Sequence, residues 1–362
     1  MDDLPASLGL PPFRERFPWW GGDLQTLHDT LRPPPAPAVA ADRVEIPIGG
    51  GDALLGWIDP PQTPPPRAWA VLVHGLGGGA ESRPIRRLAG VLSGEGFAVL
   101  RLNLRGAGGG RALARGTYAA SCRRDLEPAL RHARQLAGGR PLVGVGISLG
   151  GTVLLNACLT AGRDEDSRGR PAVLDALACI SSPLDLPECS GWIDRPRNRL
   201  YQRWLLARLI RQTLADPHGV TTTEERRLRS GELRSVRAFD AAITAPRWGH
   251  ASVDAYYRAA SPLPALLAGY PLPPTLLLQA LDDPWVTAGP ARRLQEQRRG
   301  AGAPEVMLTR GGGHNGFHGR DDLQGPGPAA PWGERLTARW LRRRLSRGRT
   351  SGGSIPAPAP RR

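Results

Sequence analysis

The chain has 362 residues, 40% of them apolar and 22% charged. This suits a large folded domain with a substantial core and excludes a wholly disordered chain. All 48 basic residues are arginine, against 33 acidic ones, for a formal charge of +15; the shared excess of Arg, Ala, Gly and Pro reads as a GC-rich coding bias rather than a specific nucleic-acid surface.

Residues 1–40 read as an N-terminal arm and linker. The arm carries Phe13, Phe17, Trp19 and Trp20, too apolar to stay free of the main domain, and the linker is the stiff stretch Pro33-Pro34-Pro35-Ala36-Pro37. Met1-Asp2-Asp3 does not open a targeting segment, and no apolar run approaches the ~20 residues that span a bilayer, so a cytoplasmic location is expected. From residue 41 the pattern changes. Val44–Ile48 and Leu54–Ile58 alternate around a glycine turn, as a hairpin does. Trp69–Val73, Ala98–Leu102, Leu142–Ile147 and Leu177–Ser181 are short apolar runs separated by helical segments at Pro84–Glu95, Ser121–Leu136 and Gly150–Thr160. Strand and helix in alternation predict an α/β fold, a mostly parallel sheet with helices on both faces.

The rhythm stops after Pro183. Residues 186–270 contain helical stretches, Arg199–Leu214 among them, and no buried-strand run, which predicts a helical cap inserted between a first core part (41–185) and a second (271–346). Thr275–Leu281 and Glu305–Thr309 resume the strands, and Trp332–Leu345 is the last helix. Residues 347–362 read as a flexible Arg/Gly/Pro tail, for which weak contact with anionic lipid or nucleic acid is the alternative. Cys122, Cys158, Cys179 and Cys189 show neither metal-ligand spacing nor a CxxC pair.

The chemistry concentrates at strand ends. Gly146-Ile147-Ser148-Leu149-Gly150 is a Gly-x-Ser-x-Gly turn with a strand before it and a helix after it, the setting that exposes a serine nucleophile. Such a serine needs a base, an acid to orient the base, and two N–H donors for the oxyanion. Asp282-Asp283-Pro284-Trp285-Val286 and Gly312-Gly313-His314-Asn315-Gly316-Phe317-His318 follow the next strands in the expected order. Asp283 fits the acid by its Asp-Pro-x-Val setting, with Asp282 as the alternative; His314 fits the base, with His318 as the alternative. Leu149 N–H and Leu76 N–H, the latter in His74-Gly75-Leu76-Gly77-Gly78, are the candidate oxyanion donors, and His74 is read as a structural residue of that loop. A metal site at His314 and His318 is disfavoured, since i, i+4 spacing means little in a glycine-rich loop.

Taken together, these motifs resemble the YheT-like branch of α/β-hydrolases, whose eukaryotic relatives are abhydrolase-domain lipid esterases. The resemblance spans Phe17 to about Leu345 and includes Trp19-Trp20-Gly21-Gly22-Asp23-Leu24-Gln25-Thr26-Leu27, Leu102-Asn103-Leu104-Arg105-Gly106 and Asp254-Ala255-Tyr256-Tyr257-Arg258. Departures at Asp23, Thr152 and Tyr118-Ala119-Ala120-Ser121 bear on substrate fit rather than on the reaction. The resemblance implies an α/β-hydrolase fold, hydrolysis of carboxylic esters from short-chain esters to acylglycerols or phospholipids, and no cofactor. A small-molecule ester is the expected partner, without specific nucleic acid; peripheral membrane contact and oligomeric state stay open. An acyltransferase using the same triad is the alternative, and a binding module that kept only the fold is a third reading. The aromatics Trp192, Trp204, Trp248, Tyr256 and Tyr257 place an expected apolar acyl pocket in the insertion.

Overall fold

The computed structural model describes residues 4–32, 41–161, 174–298, 300, 302–323 and 330–348. The proline linker at 33–37 and the tail from 349 onward lie outside the described residues.

Eight strands form one sheet: β1 (Asp42–Gly49), β2 (Asp52–Asp59), β3 (Ala68–Val73), β4 (Phe97–Leu102), β5 (Leu142–Ile147), β6 (Ala176–Ile180), β7 (Thr275–Ala280) and β8 (Glu305–Thr309). Their order is β1-β2-β4-β3-β5-β6-β7-β8. β1 and β2 form the predicted hairpin, β2 runs antiparallel to β4, and the strands from β4 to β8 are mutually parallel.

The continuous apolar runs are explained by burial on both faces. On β3, Val71 and Val73 face a core shared with Leu126 and Leu130 of the helix Arg123–Ala137. Ala70 and Leu72 face the opposite core, built with Leu88 and Leu92 of the helix Arg83–Gly94 and with Leu336 and Trp340 of the C-terminal helix Trp332–Gly348. Alternation by two thus survives, but both sets are apolar.

Between β6 and β7, residues 186–267 carry helices joined by loops, with Leu186–Ile193, Arg199–Leu214, Thr222–Arg229 and Val253–Ala260 as the longer elements. The third is closed by a capping box between Thr221 and Glu224. Between Val236–Phe239 and Ala245–Arg247, residues Asp240–Thr244 form a π-helical turn.

The longest helix of the arm was not foreseen. Gly21–Leu31 is a helix, although it begins with two glycines and has no side-chain cap. Local propensity opposes it; tertiary contact holds it. A Cβ at Gly22 would overlap the backbone carbonyl of Asp282, so this glycine is what lets the helix lie against the β7 loop.

Candidate active site

β5 runs directly into the helix Leu149–Ala161, and Ser148 is the single residue between them. It sits at φ 54°, a left-handed conformation that costs a non-glycine residue free energy. Its N–H donates to Ile180 O at 2.7 Å, which ties the turn to β6. The flanking glycines are required sterically: a Cβ at Gly146 would collide with the Gly151 backbone, and one at Gly150 with the Val73 carbonyl. Ser148 therefore stands at the C-terminal edge of the sheet and the N-terminus of a helix, where developing negative charge is favoured.

The loop after β8 brings His314 to it. His314 Nε2 lies 3.0 Å from Ser148 Oγ, and His314 Nδ1 lies 2.9 Å from Asp283 Oδ2 and 3.2 Å from Oδ1. Asp283 is 1% exposed. Its carboxylate is saturated by donors: Trp285 N–H and Val286 N–H on Oδ1, and the Gln279 amide on Oδ2. The Trp285 ring stacks on His314, with centroids 4.6 Å apart.

The two alternatives occupy other places. Asp282 Oδ1 accepts the Gly313 N–H at 2.9 Å, so this carboxylate braces the loop and does not reach the imidazole; burial pushes its carboxyl above the usual range. His318 stacks on His28 with centroids 3.5 Å apart, beside Asp29 and away from Ser148. His28, Asp29 and His318 have the donor types of a metal site. Arg87, however, donates twice to Asp29, and an Arg16 guanidinium nitrogen lies 3.2 Å from His28 Nε2. Those positions already hold cationic groups, which disfavours a metal ion there.

Leu76 and Leu149 both line the cavity that contains Ser148 and His314. In the β3 loop, Gly77 N–H donates to Tyr118 Oη and Gly78 N–H to Gly75 O. Leu76 N–H has no such partner among the described residues. Gly75 must be glycine, because a Cβ there would press on Ser148. His74 is buried. Its Nδ1 bonds to Gly75 O at 2.8 Å and its Nε2 accepts the Leu104 N–H at 3.2 Å, which assigns the neutral Nδ1–H tautomer. Burial lowers its pKa to about 4.

Sequence reasoning missed Thr26. Its hydroxyl accepts the backbone N–H of His314 at 2.8 Å. The same arm helix supplies Gln25, which accepts the His318 N–H at 2.8 Å and donates to His318 O at 3.1 Å. A signal existed, since Gln25 and Thr26 stand in the arm segment that carried part of the resemblance, but nothing in their types or spacing pointed across the chain to residue 314.

The cavity above Ser148 is about 960 Å³, its open mouth included. Its apolar lining includes Leu186, Ile193, Leu205, Leu209 and Phe239, all from the insertion. Of the five predicted aromatics only Tyr256 and Tyr257 line it. Trp192 and Trp248 spend their indole N–H groups on Asp283 O and Thr117 O, and Trp204 is 47% exposed. Asp240, Gln212, Thr213 and Thr244 interrupt the apolar wall.

The family described as serine aminopeptidase, S33 (Hydrolase_4), matches residues 64–320. YheT of Escherichia coli (strain K12), an esterase by name, is 31% identical over 282 residues, covering 76% of this chain and 78% of the other. The chain is a member of the YheT-like α/β-hydrolases. A phospholipase named ABHD3 of Homo sapiens is 25% identical over 304 residues, 82% of this chain and 71% of its own. Among solved structures, a 2,6-dihydroxy-pseudo-oxynicotine hydrolase superposes with a TM-score of 0.53 over 90% of this chain and 72% of that one, at 16% identity, which speaks to the fold alone.

Proposed function

We propose that this YheT-like α/β-hydrolase is a serine hydrolase of carboxylic esters that works through an acyl-enzyme on Ser148. The observation that carries this reading is the continuous hydrogen-bonded line from Ser148 Oγ through the His314 ring to Asp283. The esterase and phospholipase names of its relatives support the reaction class.

In this mechanism His314 Nε2 takes the Ser148 proton as Oγ attacks the ester carbonyl. Asp283 holds the Nδ1–H and stabilises the imidazolium. Leu149 N–H and Leu76 N–H receive the negative charge on the tetrahedral oxygen. His314 then protonates the leaving alcohol, and water, activated by the same imidazole, releases the acid. Trp285 lies over the imidazole and shields it from bulk water, which strengthens each electrostatic contact.

The test is hydrolysis of p-nitrophenyl butyrate together with labelling by a fluorophosphonate. Wild type is expected to turn over and to be labelled; Ser148→Ala is expected to do neither. Equal labelling and turnover in the variant would sink the proposal.

A further inference from the structure

Most of the cavity wall contributed by the insertion would suit an alkyl chain, yet Asp240 stands in it. Oδ1 accepts the Thr244 hydroxyl at 2.7 Å and Oδ2 accepts the Tyr257 hydroxyl at 2.8 Å. Among the described residues no guanidinium pairs with the carboxylate: Arg237, on the same stretch of chain, pairs with Asp254 at 2.7 Å. A carboxylate offers about four acceptor sites, and among the described residues two hydroxyls fill two of them. The remaining acceptor sites belong to a part-buried side chain that lines the open-mouthed cavity, where an incoming donor can reach them. Desolvation raises this carboxyl to about 6, against the lowering effect of the two hydroxyls.

The backbone adds an independent observation. Asp240 opens the π-helical turn Asp240–Thr244, an extra residue in the helix that re-aims side chains and recurs at functional sites. The Tyr257 hydroxyl that meets Asp240 comes from the helix Val253–Ala260, so two cap elements converge on the carboxylate.

We infer that Asp240 is a specificity-determining residue: it selects substrates that carry a hydrogen-bond donor, a hydroxyl or a protonated amine, on the part that enters the cap cavity. The inference rests on the ester-hydrolase reading and replaces a purely alkyl pocket with one that has an acceptor in its wall.

The experiment compares kcat/KM within matched ester sets. For the acyl side the set is p-nitrophenyl hexanoate, 6-hydroxyhexanoate and 6-aminohexanoate; for the alcohol side it is butyl, 4-hydroxybutyl and 4-aminobutyl butyrate. In wild type at least one donor-bearing ester should exceed its alkyl counterpart by about ten-fold or more, the scale of a hydrogen bond to a charged group. Asp240→Asn should abolish a preference for the amine, and Asp240→Leu a preference for either donor. Each ratio is read within one enzyme, so loss of folded protein cancels. Wild-type ratios at or below one in both sets overturn the inference without recourse to any variant, and so does a donor preference that persists in Asp240→Leu. Should Ser148-dependent turnover proceed without donor preference, this inference alone falls. If no ester in either set is hydrolysed, the hydrolase reading falls and carries this one with it.

Discussion

Asp282 and Asp283 are chain neighbours with opposite surroundings. Asp283 meets the His314 ring and three donors, whereas Asp282 faces a loop amide. Asp283→Asn is expected to lower kcat by about 10³–10⁴-fold, because the amide stabilises no imidazolium and favours the wrong tautomer. Asp282→Asn, which still offers an acceptor to Gly313 N–H, should lower it by about ten-fold or less. Steady-state kinetics of both variants on one ester checks this pair, and equal losses would exchange their roles. His74 gives a pH prediction. Its folded pKa, about 4, lies below the ordinary value of 6.5, so the unfolded chain takes up this proton first. The stabilisation is therefore present above pH 6.5 and is lost as pH falls toward 4, by about 3 kcal/mol in full. Urea unfolding between pH 7 and 4.5 should show wild type losing more stability than the non-titrating His74→Asn.

At the scale of elements, the two loops that complete the site are each gripped from outside the sheet. The insertion holds the acid loop through Trp192 Nε1 on Asp283 O and Asn198 Nδ2 on Pro284 O. The arm helix holds the base loop through Thr26. Thr26→Val keeps the side-chain shape and leaves the His314 N–H without its acceptor; kcat should fall by about ten-fold with KM little changed, since positioning is lost and not binding. An unchanged kcat would show that the loop needs no such brace. Thr26→Ser, which restores the hydroxyl, should recover most of the rate. Legibility follows the same division. Strands β3 to β7 were readable because burial on both faces writes a continuous apolar run, the half-buried edge strand β8 by its short apolar centre, and Ser148, Asp283 and His314 because each follows its own strand beside a glycine or proline turn. Those signals are local. The helix Gly21–Leu31 was not readable, since its glycines deny it propensity and its stability comes from residues far along the chain. Asp240 escaped notice for a similar reason: an aspartate between apolar residues looks like a solvated helix face until Tyr257 is brought against it.

Across the whole molecule, one ion network ties three distant segments together. Arg87, on the helix after β3, bonds Asp29 of the arm and Glu334 of the C-terminal helix at 2.8 Å each. Burial would raise the Asp29 carboxyl, but His28 and Arg87 outweigh it and hold it well below the usual range. Burial dominates at Glu334, which is raised to about 7. Removing the shared cation leaves two carboxylates mostly out of water, so Arg87→Ala should cost about 3–5 kcal/mol, measured by chemical denaturation. A loss under about 1 kcal/mol would mean that the network is worth no more than a surface pair. Among the described residues no helix is long and apolar enough to cross a membrane.

The Thr26–His314 hydrogen bond spans 288 positions of the chain. In the order of synthesis, the arm precedes Ser148, but the acceptor at Thr26 has nothing to receive until the loop after β8 has left the ribosome. Closing so long a loop is among the late and entropically costly steps of folding. A nascent chain thus presents the Ser148 turn before the His314 loop can be ordered beside it. The contact between Ser148 and His314 can therefore form only once β8 and its loop have been made.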